Sequence, residues 1–183
     1  MRAPGPPIVS VYPHDRAAAR ALAQRIAAAL AADPRLVLGL PTGRTPVRFY
    51  HDLASLAEHG HADFSQATTF NLDEFFGLPA QHAGSYRSFM NAHLFSRVAI
   101  APARINFLDG TAPDPKAECR RYERAIAAAG GIDVQILGLG ANGHIGFNEP
   151  GVELQPRTHR VALRPEPRRH EQLWIVDLAP TYA

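Results

Sequence analysis

Short, continuously apolar runs alternate along this chain with longer stretches whose apolar residues return every three or four positions. Residues 8–12, 36–40, 67–72, 104–108 and 132–137 read as strands, with a later one at 158–163. The unbroken run Leu36-Val37-Leu38-Gly39-Leu40 is what a strand covered on both faces requires. In the Ala-rich stretch after Asp15, Leu22, Ile26 and Leu30 lie four apart on one helical face, with Asp15 placed to cap it. Asp33-Pro34 ends that helix, because proline biases the residue before it away from helix. Thr45 as cap and Pro46 at the first helical position open a second helix, with Val47, Tyr50 and Leu53 facing inward. Ser85 caps a short helix holding Phe89 and Leu94, and Asp114-Pro115 open another that runs to the break at Gly130-Gly131.

Strand and helix in alternation predict an α/β fold with an open, mostly parallel sheet flanked by helices. The 183 residues suit a single domain, with no internal repeat and no linker to divide them. A hydrophobic fraction of 46% and a charged fraction of 20% exclude a wholly disordered, collagen-like or coiled-coil chain. The lone Cys119 leaves no intramolecular disulfide, and together with the absence of a long apolar run or a secretory leader it predicts a cytoplasmic protein with no membrane span. A net charge of +2 is spread over scattered arginines without a basic run carrying interleaved aromatics, so no nucleic-acid partner is expected.

In sheets of this kind ligands gather beyond the carboxyl ends of the strands, and three strand ends carry unusual residues. The first is Pro41-Thr42-Gly43-Arg44-Thr45-Pro46, where a glycine, two hydroxyls and a helix start could cradle a phosphate, or form a capped turn that binds nothing. The second is Asn71-Leu72-Asp73-Glu74-Phe75-Phe76, whose adjacent carboxylates leave an apolar strand. One of them could be a general base raised by desolvation; alternatively the pair is a helix-capping Asp beside a surface Glu. The third is GLGANGHIGFNEPG at 138–151, which crowds glycines around Asn142, His144 and Glu149. His144 reads as an acid/base, with the carboxylate five residues on placed to orient it as a His–carboxylate pair. No metal site is expected, because His144 and Glu149 lack a third ligand at recognisable spacing.

The stretches LGLPTGRTPVRFY, TTFNLDEFFGL, SYRSFM and ILGLGANGHIGFNEPG, followed by RTHRVAL, resemble the glucosamine-6-phosphate deaminase/isomerase family in the family's order, over residues 8–168. The related 6-phosphogluconolactonases share the Gly-rich His loop but lack the Phe147-Asn148-Glu149-Pro150 that follows it here, so the deaminase is the nearer relative. The resemblance implies a Rossmann-like three-layer sheet and a cofactor-free conversion of glucosamine 6-phosphate and water to fructose 6-phosphate and ammonia. It implies Asp73 as the base moving a proton between carbon-2 and carbon-1, and His144 as the ring-opening residue supported by Asn142 and Glu149. Pro41, Thr42, Gly43, Arg44, Thr45, Glu74, Gly140, Ala141 and Gly143 form the implied substrate-binding set, with a sugar phosphate as partner and a homo-oligomer as one assembly.

The resemblance fades after Arg168, leaving 169–183 as a divergent tail. The family pattern continues with an Arg and a Lys on the phosphate, and their counterparts are missing, so the chain reads as a truncated, frame-shifted or naturally short member. Two alternatives stand beside the deaminase: a lactonase on the same fold, and a non-catalytic remnant that binds sugar phosphate weakly or not at all.

Overall fold

The computed structural model describes residues 8–151 and 155–162. The chain folds as α1 (Asp15–Ala32), β1 (Val37–Leu40), α2 (Val47–Glu58), β2 (Thr68–Asn71), α3 (Tyr86–Met90), β3 (Ile105–Asn106), α4 (Pro115–Ala128) and β4 (Val134–Gln135). A π-helical turn, Asn91–Phe95, extends α3, and a 3-10 turn, Pro102–Arg104, precedes β3. The four strands are all parallel in the order β3-β2-β1-β4. Val37 to Leu40 pair with Thr68 to Asn71 on one side, and Leu38 and Gly39 pair with Val134 and Gln135 on the other.

Three layers result. On one face Leu38 and Leu40 pack with Leu22, Ile26 and Leu30 of α1, with Phe49, Tyr50 and Leu53 of α2, and with Met90 and Leu94. On the other face Val37 and Phe70 pack against Tyr122 of α4. The alternation Val37 to one face and Leu38 to the other is the period-2 geometry of a strand, and both faces are apolar because both are covered. The Ala positions of α1 let it lie close: Ala19, Ala23 and Ala27 are buried with the leucines. Asp114 accepts from the Lys116 N–H and Pro115 follows it, so α4 starts where the sequence places it. Ser85 likewise accepts from the Ser88 N–H at the start of α3.

Several expectations are corrected. Residues 8–12 form no strand; Ile8, Val9 and Val11 are 81%, 71% and 89% exposed, since no neighbouring strand among the described residues offers a ladder. Residues 158–162 are not strand either, and Leu163 lies outside the described residues. The strands expected at 104–108 and 132–137 shrink to two residues each, β3 and β4; past β4 the Ile136 N–H still bonds the Gly39 carbonyl at 2.9 Å before the chain turns into the 138–143 loop. The cap of α1 is His14, whose Nδ1 accepts from the Ala17 N–H, while Asp15 is the first helical residue. Helix α2 begins at Val47 with Pro46 at the cap position, so Thr45 stands one residue outside it.

Candidate functional site

Strand β1 has its successor β2 on one side and β4 on the other. The loops leaving β1 and β4 therefore open a crevice at the carboxyl ends, where such sheets bind ligands. Residues 41–46 fill the first loop. Pro41 is buried, Thr42, Gly43 and Thr45 are half-buried, and Arg44 is exposed. Gly43 takes φ 106°, a conformation open to glycine, and lets the loop turn into the positive N-terminal end of α2. The Tyr50 hydroxyl, fully buried, donates to the Pro41 carbonyl.

The two carboxylates after β2 part company. Glu74 is committed to backbone: its Oε1 accepts from the Phe75 N–H at 2.8 Å and the Tyr86 N–H at 2.9 Å, and its Oε2 from the Arg87 N–H at 3.0 Å. It thus ties the loop to the first turn of α3. Asp73 faces the crevice. The Thr42 hydroxyl approaches its Oδ1 at 3.4 Å, and Gly146 packs so closely that a Cβ there would lie 3.3 Å from its Oδ2. Burial first, and the Asp73 carboxylate second, push the Tyr50 phenol well up, so it stays a proton donor beside the acid.

The third loop turns tightly. The Gly143 N–H bonds the Gly140 carbonyl at 2.8 Å and the Gly140 N–H bonds the His144 carbonyl at 2.9 Å. Ala141, Asn142 and Gly143 are exposed at the tip, and His144 is half-buried. A Cβ at Gly140 would overlap the His144 ring, so glycine there makes room for the imidazole. The expected His–carboxylate pair is replaced by a relay through Asn142. Its Nδ2 donates to Glu149 Oε2 at 2.9 Å, and its Oδ1 meets the His144 N–H at 3.1 Å and His144 Nδ1 at 2.7 Å. A carboxylate only accepts, which turns the Asn142 amide nitrogen to Glu149 and its oxygen to His144. The Nδ1 then donates to that oxygen, and in the neutral ring the lone pair lies on Nε2. Phe147 packs at a tilt on Phe75 and stacks on Tyr86, with centroids 5.2 and 5.8 Å away, and anchors this loop to the Asp73 loop.

A cavity of about 510 Å³ runs from Asp73, Phe147 and Asn148 down to Tyr122 and Cys119 of α4, closed by 155–162. Neither Thr42 nor His144 lines it, and Asp73 stands where this cavity meets the crevice between the β1 and β4 loops. Among the described residues no cluster of three His, Cys, Asp or Glu side chains forms a metal-binding group, and no helix is long and apolar enough to cross a membrane. Tyr50 sits on the inward apolar face that the sequence pattern predicts, and the sequence signal of a further role is its hydroxyl on a fully buried helical face.

Residues 14–169 match the family described as glucosamine-6-phosphate isomerases/6-phosphogluconolactonase. The chain is 51% identical over 142 residues to glucosamine-6-phosphate deaminase 1 of Giardia intestinalis, covering 78% of this chain and 53% of that protein. It is 51% identical over 133 residues to glucosamine-6-phosphate deaminase of Halothermothrix orenii, covering 73% and 55%. The solved structure of a monomeric glucosamine-6-phosphate deaminase superposes with a TM-score of 0.80 at 40% identity, covering 83% of this chain and 63% of that one. A 6-phosphogluconolactonase from Thermotoga maritima superposes at 0.63 with 26% identity, over 73% and 60%. The chain thus spans about half the length of these curated relatives. With its sheet order, its crevice and its match over residues 14–169, the chain belongs to the glucosamine-6-phosphate isomerase/6-phosphogluconolactonase family.

Proposed function

We propose that this chain acts on an amino-sugar phosphate, converting glucosamine 6-phosphate and water to fructose 6-phosphate and ammonia. The observation that carries the reading is the Glu149–Asn142–His144 relay, which leaves the His144 Nε2 as a base in the loop that packs on the Asp73 carboxylate. His144 takes the proton of the anomeric hydroxyl and delivers it to the ring oxygen as the bond from carbon-1 to that oxygen breaks. Asp73 then removes the carbon-2 proton. The freed electron pair forms the carbon-1 to carbon-2 double bond, and the aldehyde oxygen takes up a proton. Asp73 returns its proton to carbon-1, leaving an iminium at carbon-2. Water adds there and ammonia departs.

The 42–45 loop and the N-terminus of α2 hold the phosphate. Thr42 joins the two functions, since its hydroxyl lies on Asp73. Gly140, Ala141 and Gly143 shape the turn that presents His144. Glu74 serves the site indirectly, by fixing the loop that carries Asp73. A reducing, cytoplasmic setting belongs to the same proposal and is supported by the single cysteine in 183 residues.

The test is to incubate the purified chain with a high concentration of glucosamine 6-phosphate and to measure ammonia and fructose 6-phosphate separately. Equal amounts of the two are expected. Hydrolysis of 6-phosphogluconolactone, with no ammonia from the amino sugar, would overturn the reading in favour of a lactonase.

A further inference from the structure

Tyr50 takes no part in the proton transfers, yet it is a tyrosine in a place that phenylalanine would fill. Its ring packs on Phe49 and Phe89, with centroids 5.0 and 6.5 Å away, and is fully buried. Its hydroxyl donates to the carbonyl of Pro41, itself buried. One residue earlier, the Leu40 carbonyl accepts from Asn71 Nδ2 at 3.2 Å and from the Leu72 N–H at 3.1 Å. Two buried side chains, one from α2 and one from β2, therefore grip consecutive carbonyls where β1 becomes the loop. Fixing two successive carbonyls fixes the peptide planes from which Thr42 to Thr45 depart.

Asn71 points the same way. Its Oδ1 is buried with no hydrogen-bond partner, a state that costs stability and that a leucine would avoid. The clamp extends to the base, because Thr42, the residue after Pro41, places its hydroxyl 3.4 Å from Asp73.

We propose that Tyr50 is a positioning residue. Its hydroxyl, with the Asn71 amide, fixes the Pro41 end of the 42–45 loop so that the loop is preformed for a phosphate group. The inference rests on the sugar-phosphate reading of the site, but its test needs no turnover. Without the hydroxyl, the Pro41 carbonyl loses a buried partner and the loop must find its bound shape at the moment of binding.

The experiment compares Tyr50→Phe with the unsubstituted chain by calorimetry, using fructose 6-phosphate and unphosphorylated fructose as probes, and by hydrogen exchange of the 42–45 amides in the free protein. The expected result is about tenfold weaker binding of the phosphorylated sugar. Exchange should be faster in the loop alone, and the weak binding of unphosphorylated fructose should be unchanged. Phe64→Leu, a buried position preceding β2 at the far end of the sheet, controls for lost stability and should leave both readouts in place. Asn71→Leu provides a second variant if Tyr50→Phe does not fold, with the same selective loss expected. Unchanged phosphate affinity and loop exchange in the clamp variants would overturn the proposal. So would an equal weakening in Phe64→Leu, or an unsubstituted chain that binds no sugar phosphate. Ammonia release is scored apart: binding without ammonia would refute the deaminase reading while the affinity comparison still decides the role of Tyr50.

Discussion

The sharpest perturbation of the His144 loop is a single methyl group at Gly140. A Cβ built there overlaps the Nδ1 and Cε1 of His144 and lies 2.6 Å from its Cγ. Because the ring's first atom is involved, spinning the imidazole in place does not relieve the clash, and the whole ring must swing. That swing breaks the 2.7 Å contact from Nδ1 to Asn142 Oδ1 and moves Nε2 off its position. The hydrogen bond is worth about 1 kcal/mol. Displacing a catalytic atom by about 1 Å costs roughly a hundredfold in rate, or ~2.7 kcal/mol of barrier. Gly138 supplies the control, because a Cβ there meets nothing within 4 Å. The expected outcome is that Gly140→Ala lowers kcat/KM for ammonia release about a hundredfold and Gly138→Ala leaves it within about threefold. An active Gly140→Ala, or equal losses in both variants, would refute the assignment of His144 as a geometrically fixed acid/base.

Two further outcomes are expected. His144→Gln should slow turnover of cyclic glucosamine 6-phosphate far more than that of an open-chain analogue, and equal losses on both would remove His144 from ring opening. Burial raises the Glu123 carboxyl, but the Thr158 N–H and hydroxyl and the Arg157 guanidinium outweigh it and hold the group below its ordinary 4.5. A lowered folded value contributes stability that is present above the unfolded value and is lost as pH falls through the folded one. Acidification below about 4.5 should therefore release 155–162 from α4. Hydrogen exchange should show faster exchange at Thr158 at low pH in the parent but pH-independent exchange in Glu123→Gln; a segment that stays protected in both would contradict the anchor.

The centre of the sheet was legible because burial on both faces forces an unbroken apolar run, and residues 36–40 show one. The same signal misled at residues 8–12, where apolar residues stand exposed. Periodicity reports the capacity to pair, and pairing depends on a neighbour that a local pattern does not reveal. Caps on α3 and α4 were readable since Ser85 and Asp114 act within three residues of themselves. The local pattern alone does not separate Asp73 from Glu74: the placement of α3, twelve residues on, decides which carboxylate the backbone claims. The spacing suggested a direct His144–Glu149 pair, whereas Glu149 bonds Asn142, a link that depends on how the 140–143 turn closes. Tyr50 was hidden because its helical spacing and apolar ring describe a core residue, and its partner carbonyl lies nine residues back.

If Asp73 carries a proton from carbon-2 to carbon-1, glucosamine 6-phosphate deuterated at carbon-2 will show it in the rate of ammonia release and in the deuterium at carbon-1 of the fructose 6-phosphate formed. The expected result is a slower reaction than with the protiated sugar, some deuterium delivered to carbon-1 by the same carboxylate, and loss of turnover by at least about a hundredfold in Asp73→Asn, whose amide keeps the shape but accepts no proton from carbon. Ammonia release that is indifferent to the isotope and persists in Asp73→Asn would contradict it.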